Sequence, residues 1–251
     1  MSAAARTDSN SIKSDLLSIG EMVFFGHLPG EGVMINWDDW DGNTLMEIVM
    51  SRGRRFPELE AAIGGDGNPI PHDNPWHLES LIDHTRRVID AGRDLSMRYG
   101  LSSSDHAILM VACMWHDAGK PFVRAPKDRY ICVSCGRPAV SPDRGCPCGG
   151  EMEHRVVMGY HGHERVSASR WLFGNVSVRE NLPPGISCHA RHIIADHLWV
   201  GNAIEAGRKV PSWVTIPHIL MGWADDIGRE RAPFDDFDFN EGFSRIMGER
   251  V

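Results

Sequence analysis

The sequence predicts an all-α protein with a small zinc-ribbon-like insertion. Apolar residues recur at helical spacing in several segments after residue 75. Two closely spaced pairs of cysteines interrupt this helical pattern between residues 132 and 148. Histidines and aspartates lie on or beside the apolar faces of the predicted helices. These observations predict a helical bundle that holds polar side chains at its centre.

Composition restricts the class of protein. The chain has 251 residues and a mass of 28.0 kDa, enough for one core or for a main domain with a small accessory one. No apolar run approaches the roughly 20 residues that span a bilayer, and the Ser/Ala-rich N-terminus does not resemble a signal peptide. We therefore expect a cytoplasmic protein with no membrane partner and with reduced or metal-bound cysteines. The net charge of -8 argues against a general nucleic-acid coat. The oligomeric state is unknown from the sequence.

Two predicted helices carry the first candidate ligands. The first spans residues 78–95, and His84 lies on its apolar stripe. A histidine on such a stripe is more often a satisfied core residue than a ligand. The second begins near Ser103 and ends with the adjacent pair His116 and Asp117. Gly119 is expected to end this helix and to leave Lys120 beside the pair.

Three later helices carry further histidines and carboxylates. They are predicted at about residues 164–173, 187–197 and 217–227, and they place His163, His197 and Asp225 near apolar faces. Buried histidines and carboxylates on separate helices would leave charges unpaired unless a metal neutralised them. The pattern therefore indicates a metal centre inside the bundle.

Several of these motifs resemble a known family. His84-Thr85-x-Arg87, His116-Asp117-x-Gly119-Lys120 and Ala224-Asp225 follow the order found in HD-domain metal-dependent phosphohydrolases. Three further motifs look like the HD domain of bacterial tRNA nucleotidyltransferases, the CCA-adding enzymes: Trp76-His77-x-Glu79, His161-Gly162-His163-Glu164 and Ala224-Asp225-x-x-Gly228-Arg229.

The resemblance covers roughly residues 74–231 apart from the insertion. It implies an HD domain at 74–251, interrupted by a zinc-ribbon-like insert at 124–157, with an N-terminal extension at 1–73 that packs on the core. The segment before residue 75 is too short for a nucleotidyltransferase catalytic domain. The resemblance therefore implies a stand-alone hydrolase with the fold of an HD-domain helical bundle.

The resemblance also implies a set of metal ligands. Its four core ligands are His84, His116, Asp117 and Asp225. His163 and His197 match the extra histidines of binuclear HD proteins, which implies a second metal. Asp226 is an alternative to Asp225, and His161 is an alternative to His163. Mixed nitrogen and carboxylate ligands favour one or two Mn, Fe, Co, Ni or Zn ions over an all-oxygen Mg site.

Other residues are candidates for catalysis beside the metals. Asp117 could bridge the two ions, and Lys120 is expected to stabilise charge on a substrate phosphate. His77 is a candidate for contact with the attacking water or the substrate. Arg87 and Arg229 are candidates for phosphate contact, although a solvent-facing salt bridge is an alternative for each arginine.

The insert carries its own candidate ligands. The pairs Cys132-x-x-Cys135 and Cys146-x-Cys148 are typical of a zinc ribbon that holds a structural Zn ion. Because the second pair is one residue shorter than usual, one cysteine could be displaced and replaced by His154. Disulfides are the alternative, which a reducing compartment disfavours.

The region around the insert has a positive net charge, opposite in sign to that of the whole chain. Residues 120–155 contain seven Lys or Arg residues and four acidic residues. This region could grip a polyphosphate or a nucleic-acid backbone, or it could be a solvated surface with no ligand.

Three functions remain open from the sequence. The favoured one is a phosphohydrolase that acts on a nucleotide or a phosphorylated nucleic-acid end through a metal-activated water. A second is a di-iron oxygenase, since some HD proteins use paired irons for oxidative cleavage. A third is a non-catalytic module that senses a nucleotide or binds nucleic acid.

Overall fold

The computed structural model describes residues 72–174, 182–230 and 239–248. The N-terminal extension predicted at residues 1–73 lies outside the described residues except for His72 and Asp73. The helices are α1 (Leu81–Arg98), α2 (Ser103–Trp115), α3 (Lys120–Val123), α4 (His163–Gly174), α5 (Pro184–Glu205), α6 (Ile216–Gly228) and α7 (Phe239–Gly248). The strands are β1 (Ala125–Cys132), β2 (Pro138–Ala139) and β3 (Met152–Gly159). Among the helices described, none has the length and apolar character needed to cross a membrane.

The central helix of the bundle is α2. Ser102 caps its N-terminus by accepting a hydrogen bond from the Asp105 backbone N–H. Every residue from Ala107 to Trp115 is buried, and α1, α4, α5 and α6 pack around this helix. The prediction that Gly119 ends the helix is wrong, because α2 ends at Trp115 and Gly119 instead caps the short helix α3.

Two other helix boundaries differ from the sequence prediction. Helix α1 begins at Leu81 and not at residue 78, because Ser80 accepts a hydrogen bond from the Asp83 backbone N–H and so acts as the N-cap. Helix α5 continues to Glu205, eight residues beyond the predicted end at His197. Val200 and Ile204 in this added part are buried, so packing against the core extends the helix.

Tryptophan side chains in the core tie helices together. Trp171 of α4 is fully buried, and its indole Nε1 donates a 3.0 Å hydrogen bond to the Ser187 carbonyl of α5. Trp223 of α6 stacks on Phe243 of α7 with ring centroids 5.6 Å apart. These contacts hold the helices that carry the candidate ligands in a fixed relation.

The insert forms an antiparallel sheet in the order β2-β1-β3. Its long pair, β1 with β3, runs from Ala125 opposite Gly159 to Cys132 opposite Met152. The described protein is therefore mostly helical with one small sheet, and the sequence prediction of an all-α protein holds only for the bundle outside the insert.

A buried histidine at the start of α6 predicts that stability depends on pH. His218 is 5% exposed, and its Nδ1 lies 2.9 Å from Thr215 Oγ1, which also contacts His189. Burial, helped by His189 and His192, lowers the pKa of His218 to about 4. Between this pKa and the ordinary value near 6.5, the unfolded chain binds a proton that the folded chain does not. The free energy of unfolding should therefore fall as the pH drops through this window, by up to about 3 kcal/mol from this residue.

Urea unfolding of the wild type and of His218→Asn between pH 4 and 7 measures this contribution. The variant should lose less stability in acid than the wild type, whereas replacing the exposed His161 should change nothing. Parallel stability curves for wild type and His218→Asn would contradict the assignment.

Candidate metal centre

Side chains from α1, the turn after α2 and α6 form the first half of a buried cluster. Nε2 of His84 lies 3.3 Å from Nε2 of His116 and 3.0 Å from Oδ1 of Asp225. Oδ2 of Asp117 lies 3.5 Å from the His84 nitrogen and 3.3 Å from the His116 nitrogen. Four of the predicted ligands thus point at one small volume.

The second half of the cluster uses the other oxygen of the same aspartate. Oδ1 of Asp117 lies 3.1 Å from Nε2 of His163 and 4.0 Å from Nε2 of His197. The two histidine nitrogens are 3.3 Å apart. Asp117 therefore faces both halves, one carboxylate oxygen to each, and each half with Asp117 could hold a metal ion.

These separations suit metal coordination. Metal–ligand bonds of about 2.1 Å meeting at about 90° to 109° place two ligand atoms roughly 3.0 to 3.4 Å apart. Asp117 Oδ2 is buried and receives no hydrogen bond of acceptable geometry from the described residues, although Lys120 Nζ lies 2.5 Å away. A cation between the facing atoms would satisfy this oxygen and separate the imidazole lone pairs. The donor set could therefore hold metal ions.

Three of the ligand histidines are oriented by their own chain segments. In each, Nδ1 contacts the backbone carbonyl three residues earlier: Cys113 for His116 at 3.0 Å, Tyr160 for His163 at 2.7 Å and Ile194 for His197 at 2.8 Å. Such a bond fixes the proton on Nδ1 and leaves Nε2 to bind a metal.

The fourth histidine, His84, lies against Glu79, whose place beside the cluster was not predicted. Oε1 of Glu79 lies 3.2 Å from His84 Nδ1 and 2.8 Å from His77 Nδ1. Oε2 accepts a hydrogen bond from the Glu230 backbone N–H. Although burial opposes it, these histidine hydrogen bonds lower the pKa of Glu79, which therefore stays a carboxylate. Its presence in the Trp-His-x-Glu motif was the only signal in the sequence.

The two halves of the cluster differ in how they hold protons. Burial favours a neutral His116, but the carboxylates of Asp117 and Asp225 overcome it and raise its pKa to about 10. Burial, together with the neighbouring His116 and His163, lowers the pKa of His197 to about 3. A divalent ion in the first half would displace the His116 proton, so metal affinity should weaken in acid.

Lys120 is placed differently from the prediction. Its ammonium is buried, 2.5 Å from Asp117 Oδ2 and 3.2 Å from His72 Nε2, and it lies over the ring of Tyr160. The lysine was expected to meet a substrate phosphate, but α3 begins at Lys120 and turns this side chain inward. Lys120 is therefore ion-paired with Asp117, and its contact with a substrate phosphate stays a prediction. His72 was missed because no sequence pattern surrounds it.

The structure distinguishes between the alternative ligands that are close together in the sequence. Asp226 lies 2.8 Å from Arg229 in an ion pair, so Asp225 is the aspartate of α6 that joins the cluster. His161 is exposed, whereas His163 is buried within the cluster.

Arg87 pairs with Glu230 at 3.0 Å on the surface, which matches the salt-bridge alternative. Arg229 is likewise engaged by a carboxylate.

A glycine allows the two halves to approach each other. A Cβ at Gly119 would lie 2.4 Å from the His163 carbonyl oxygen and 2.7 Å from the Ser167 nitrogen. The Gly119 N–H also donates to Ser167 Oγ at 2.7 Å. Gly119 thus holds the turn after Asp117 against the first turn of α4.

We expect Gly119→Ala to destabilise the fold by about 1 to 3 kcal/mol, because backbone atoms must move apart. It should also weaken metal binding in the half that contains His163. Urea unfolding and metal content measure the two effects. Gly185→Ala is the matched control, since a Cβ there meets nothing within 4 Å. Equal stability of the two variants would contradict the prediction.

The cluster meets solvent on one side. The side chain of Asp225 is 22% exposed and that of His77 is 14% exposed, whereas His84, His116 and His197 are fully buried. A ligand that reaches the cluster through the described residues would therefore pass Asp225 and His77.

The four cysteines of the insert converge in a second candidate site. Sγ of Cys132 lies 3.5 Å from that of Cys148, Cys135 lies 3.4 Å from Cys146, and Cys148 lies 3.3 Å from Cys146. All four are free thiols, so the disulfide alternative does not hold. Tetrahedral zinc with bonds of about 2.3 Å would place sulfurs roughly 3.8 Å apart, so the group could hold a metal ion.

Two further observations concern the ligands of this site. His154 lies 3.0 Å from Asp128 on the sheet, so it does not replace a cysteine. The pKa values of two of the thiols shift in opposite directions: although burial opposes it, hydrogen bonds from the Cys135 and Ser134 backbone lower that of Cys132 to about 6, whereas, against a backbone hydrogen bond, burial and the neighbouring thiols raise that of Cys146 to about 12. A thiolate at neutral pH is the form that binds zinc.

Comparisons with known proteins give no relatives: no family model matches the sequence, and neither does any curated protein or solved structure.

Proposed function

We propose that the chain is a metal-dependent phosphohydrolase of the HD-domain type, with two divalent transition-metal ions held by the buried cluster. The observation that supports this proposal is Asp117, whose two oxygens face two separate sets of histidine nitrogens. His84, His116 and Asp225 would complete one half, and His163 and His197 the other. Bound ions of this kind supply Lewis acidity toward phosphoryl oxygens and lower the pKa of a water toward about 7.

His77 has a defined role in this proposal. Burial and the nearby Lys120 lower its pKa to about 4, so the ring is neutral at pH 7. Because its Nδ1 donates to Glu79, its Nε2 is left as a hydrogen-bond acceptor. At the open side of the cluster, this nitrogen would accept a hydrogen bond from the attacking water or from a substrate hydroxyl.

The substrates we propose are nucleotides or phosphorylated nucleic-acid ends. A phosphate ester beside a sugar hydroxyl would offer the group that His77 can bind. The buried Lys120 is engaged by Asp117, so recognition of the rest of a charged substrate must come from residues outside the cluster.

Phosphate release across a substrate panel tests the proposal. The panel contains 2',3'-cyclic, 2'- and 3'-nucleotides, nucleoside mono- and triphosphates, and short oligonucleotides with phosphorylated ends, each with Mn, Fe, Co, Ni or Zn. Turnover of one class by the wild type, absent in Asp117→Asn, would support a phosphohydrolase and identify its substrate group. No turnover from protein that holds two ions in the cluster would contradict it.

A di-iron oxygenase is the second candidate. Four histidine nitrogens suit iron, and Lys120 is placed against a ligand and not at the open side. Oxygen consumption by the two-iron protein, with no phosphate release across the panel, would favour this reading.

A further inference from the structure

We propose that a basic face on the inserted sheet binds the phosphate backbone of single-stranded nucleic acid and directs its end to the metal centre. This inference rests on the proposed function and narrows its substrate class to oligonucleotides. The basic face comprises Lys127 and Arg129 of β1 and Arg155 of β3.

The register of the sheet places these cations together. Arg129 is directly opposite Arg155 in the antiparallel pair, and Lys127 is two residues along the same strand. Paired residues and alternate residues of a strand point to the same face. Like charges directly opposite each other destabilise a sheet. An anionic ligand would turn this cost into a favourable interaction.

Of the two acidic residues in β1 and β3, one lies on the same face and offsets these charges. Glu153, two residues before Arg155, accepts hydrogen bonds from the Arg155 guanidinium at 2.6 and 2.9 Å. Three cations and one acid leave this face with a net charge of +2. Asp128 alternates to the opposite face, where it contacts His154 at 3.0 Å. This concentration of positive charge occurs in a chain whose net charge is -8.

The basic face begins beside the metal centre. One residue separates the end of α3, the helix that opens with Lys120, from the start of β1, and β3 ends immediately before Tyr160. The Met158 backbone N–H donates to the Asp73 carbonyl at 2.8 Å. Arg124 forms an ion pair with the side chain of the same Asp73. The base of the sheet is thus fixed to the segment that carries His72 and His77.

A glycine brings Lys127 to this base. A Cβ at Gly159 would lie 2.5 Å from Cδ and Cε of Lys127, so the lysine stem lies across the bare backbone of β3. Along β1, the positions of Lys127 and Arg129 are about 7 Å apart. The cations therefore form a row that extends away from the base of the sheet.

The occupant that fits this row is a single strand with a terminal phosphate. A regular row of cations suits a polyanion with evenly spaced charges. The ligand histidines are buried, and the cluster meets solvent only near Asp225 and His77 among the described residues. A flexible single strand can bend its end into such an opening, whereas a rigid duplex cannot.

Fluorescence anisotropy with a labelled 12-nucleotide single strand lacking end phosphates tests the inference without turnover. The zinc-loaded protein is titrated at several salt concentrations, and wild type is compared with Arg129→Gln/Arg155→Gln. The matched control is Arg86→Gln/Arg93→Gln, which removes the same charge from exposed positions on α1. Zinc content of each variant verifies that the insert is intact.

We expect the variant of the basic face to bind about tenfold more weakly and the control to bind as the wild type does. The slope of log affinity against log salt should become shallower by about 1.4, the value for two lost contacts with a single strand. Equal affinity of the two double variants, or equally tight binding of poly-glutamate, would overturn the inference.

A failure of the proposed phosphohydrolase function gives a different result from a failure of the nucleic-acid site. Binding that depends on the basic face, without phosphate release from any member of the substrate panel, would remove the phosphohydrolase and keep the nucleic-acid site. Phosphate release from mononucleotides, together with unaltered oligonucleotide binding by Arg129→Gln/Arg155→Gln, would keep the phosphohydrolase and remove the nucleic-acid site.

Discussion

Asp117→Asn should release both metal ions from the histidine cluster while zinc stays in the insert. The carboxylate offers Oδ2 to one half and Oδ1 to the other, and an amide is a poor substitute for a bridging carboxylate. Elemental analysis should show two ions lost per chain and one zinc retained. Phosphate release should fall to background. Loss of all three ions would show that the bundle and the insert fold as one unit.

Asp117→Asn should also destabilise the fold by about 3 to 5 kcal/mol, because it leaves the buried Lys120 ammonium without its partner. Asp117→Asn/Lys120→Met should recover much of this stability without recovering the metals. Adjacent residues on α6 supply a matched control: Asp225→Asn should lose metal from the first half only, whereas Asp226→Asn should keep both ions. Metal loss in Asp226→Asn equal to that in Asp225→Asn would contradict the ligand assignment.

Cys148→Ser should remove zinc from the insert and unfold its sheet. Structural zinc contributes about 10 to 16 kcal/mol of apparent binding free energy in small zinc domains, and the short strands β1 and β3 bury little apolar area of their own. Hydrogen exchange should accelerate at the amides of these two strands. Amides of α2, in the core, should stay protected.

Cys188→Ser is the control for this variant, since Cys188 lies on α5 and outside the four-cysteine group. It should keep zinc and leave strand exchange unaltered. Protection of β1 and β3 that survives the loss of zinc would show that the sheet is stable without a metal.

The sequence predicted which helix carries each candidate ligand, but it did not predict which side chains contact each other in space. His84 and Asp225 are 141 residues apart in the chain, so local periodicity places each on an apolar face without showing that the faces meet. The need to neutralise buried polar side chains predicted a shared metal centre, and the resemblance to HD domains specified its ligands. Asp225 and Asp226 differ by about 100° around a helix, and both have apolar neighbours in the sequence. The packing of α6 on α1 decides which of them faces His84.

The wrong prediction for the end of α2 has a local cause. A glycine after His-Asp was expected to end α2 and leave the lysine outside. The chain instead turns at residues 116–119 and starts α3 at Lys120. Gly119 is needed for the close approach of α4. No local pattern encodes this approach, because the neighbours of Gly119 are His163 and Ser167, more than 40 residues later in the chain.

The hydrogen bonds from the histidine Nδ1 atoms have a consequence for how the centre fills. His116, His163 and His197 are each held by a carbonyl of their own segment, three residues earlier. The metal-binding Nε2 of each histidine is therefore oriented when its own helix forms. This happens before any ion binds and independently of the other two histidines. The conformational entropy of these side chains is therefore lost during folding and not during metal binding. Metal uptake should then proceed by exchange of the ion's water ligands at a nearly rigid receptor, with little rearrangement of the chain.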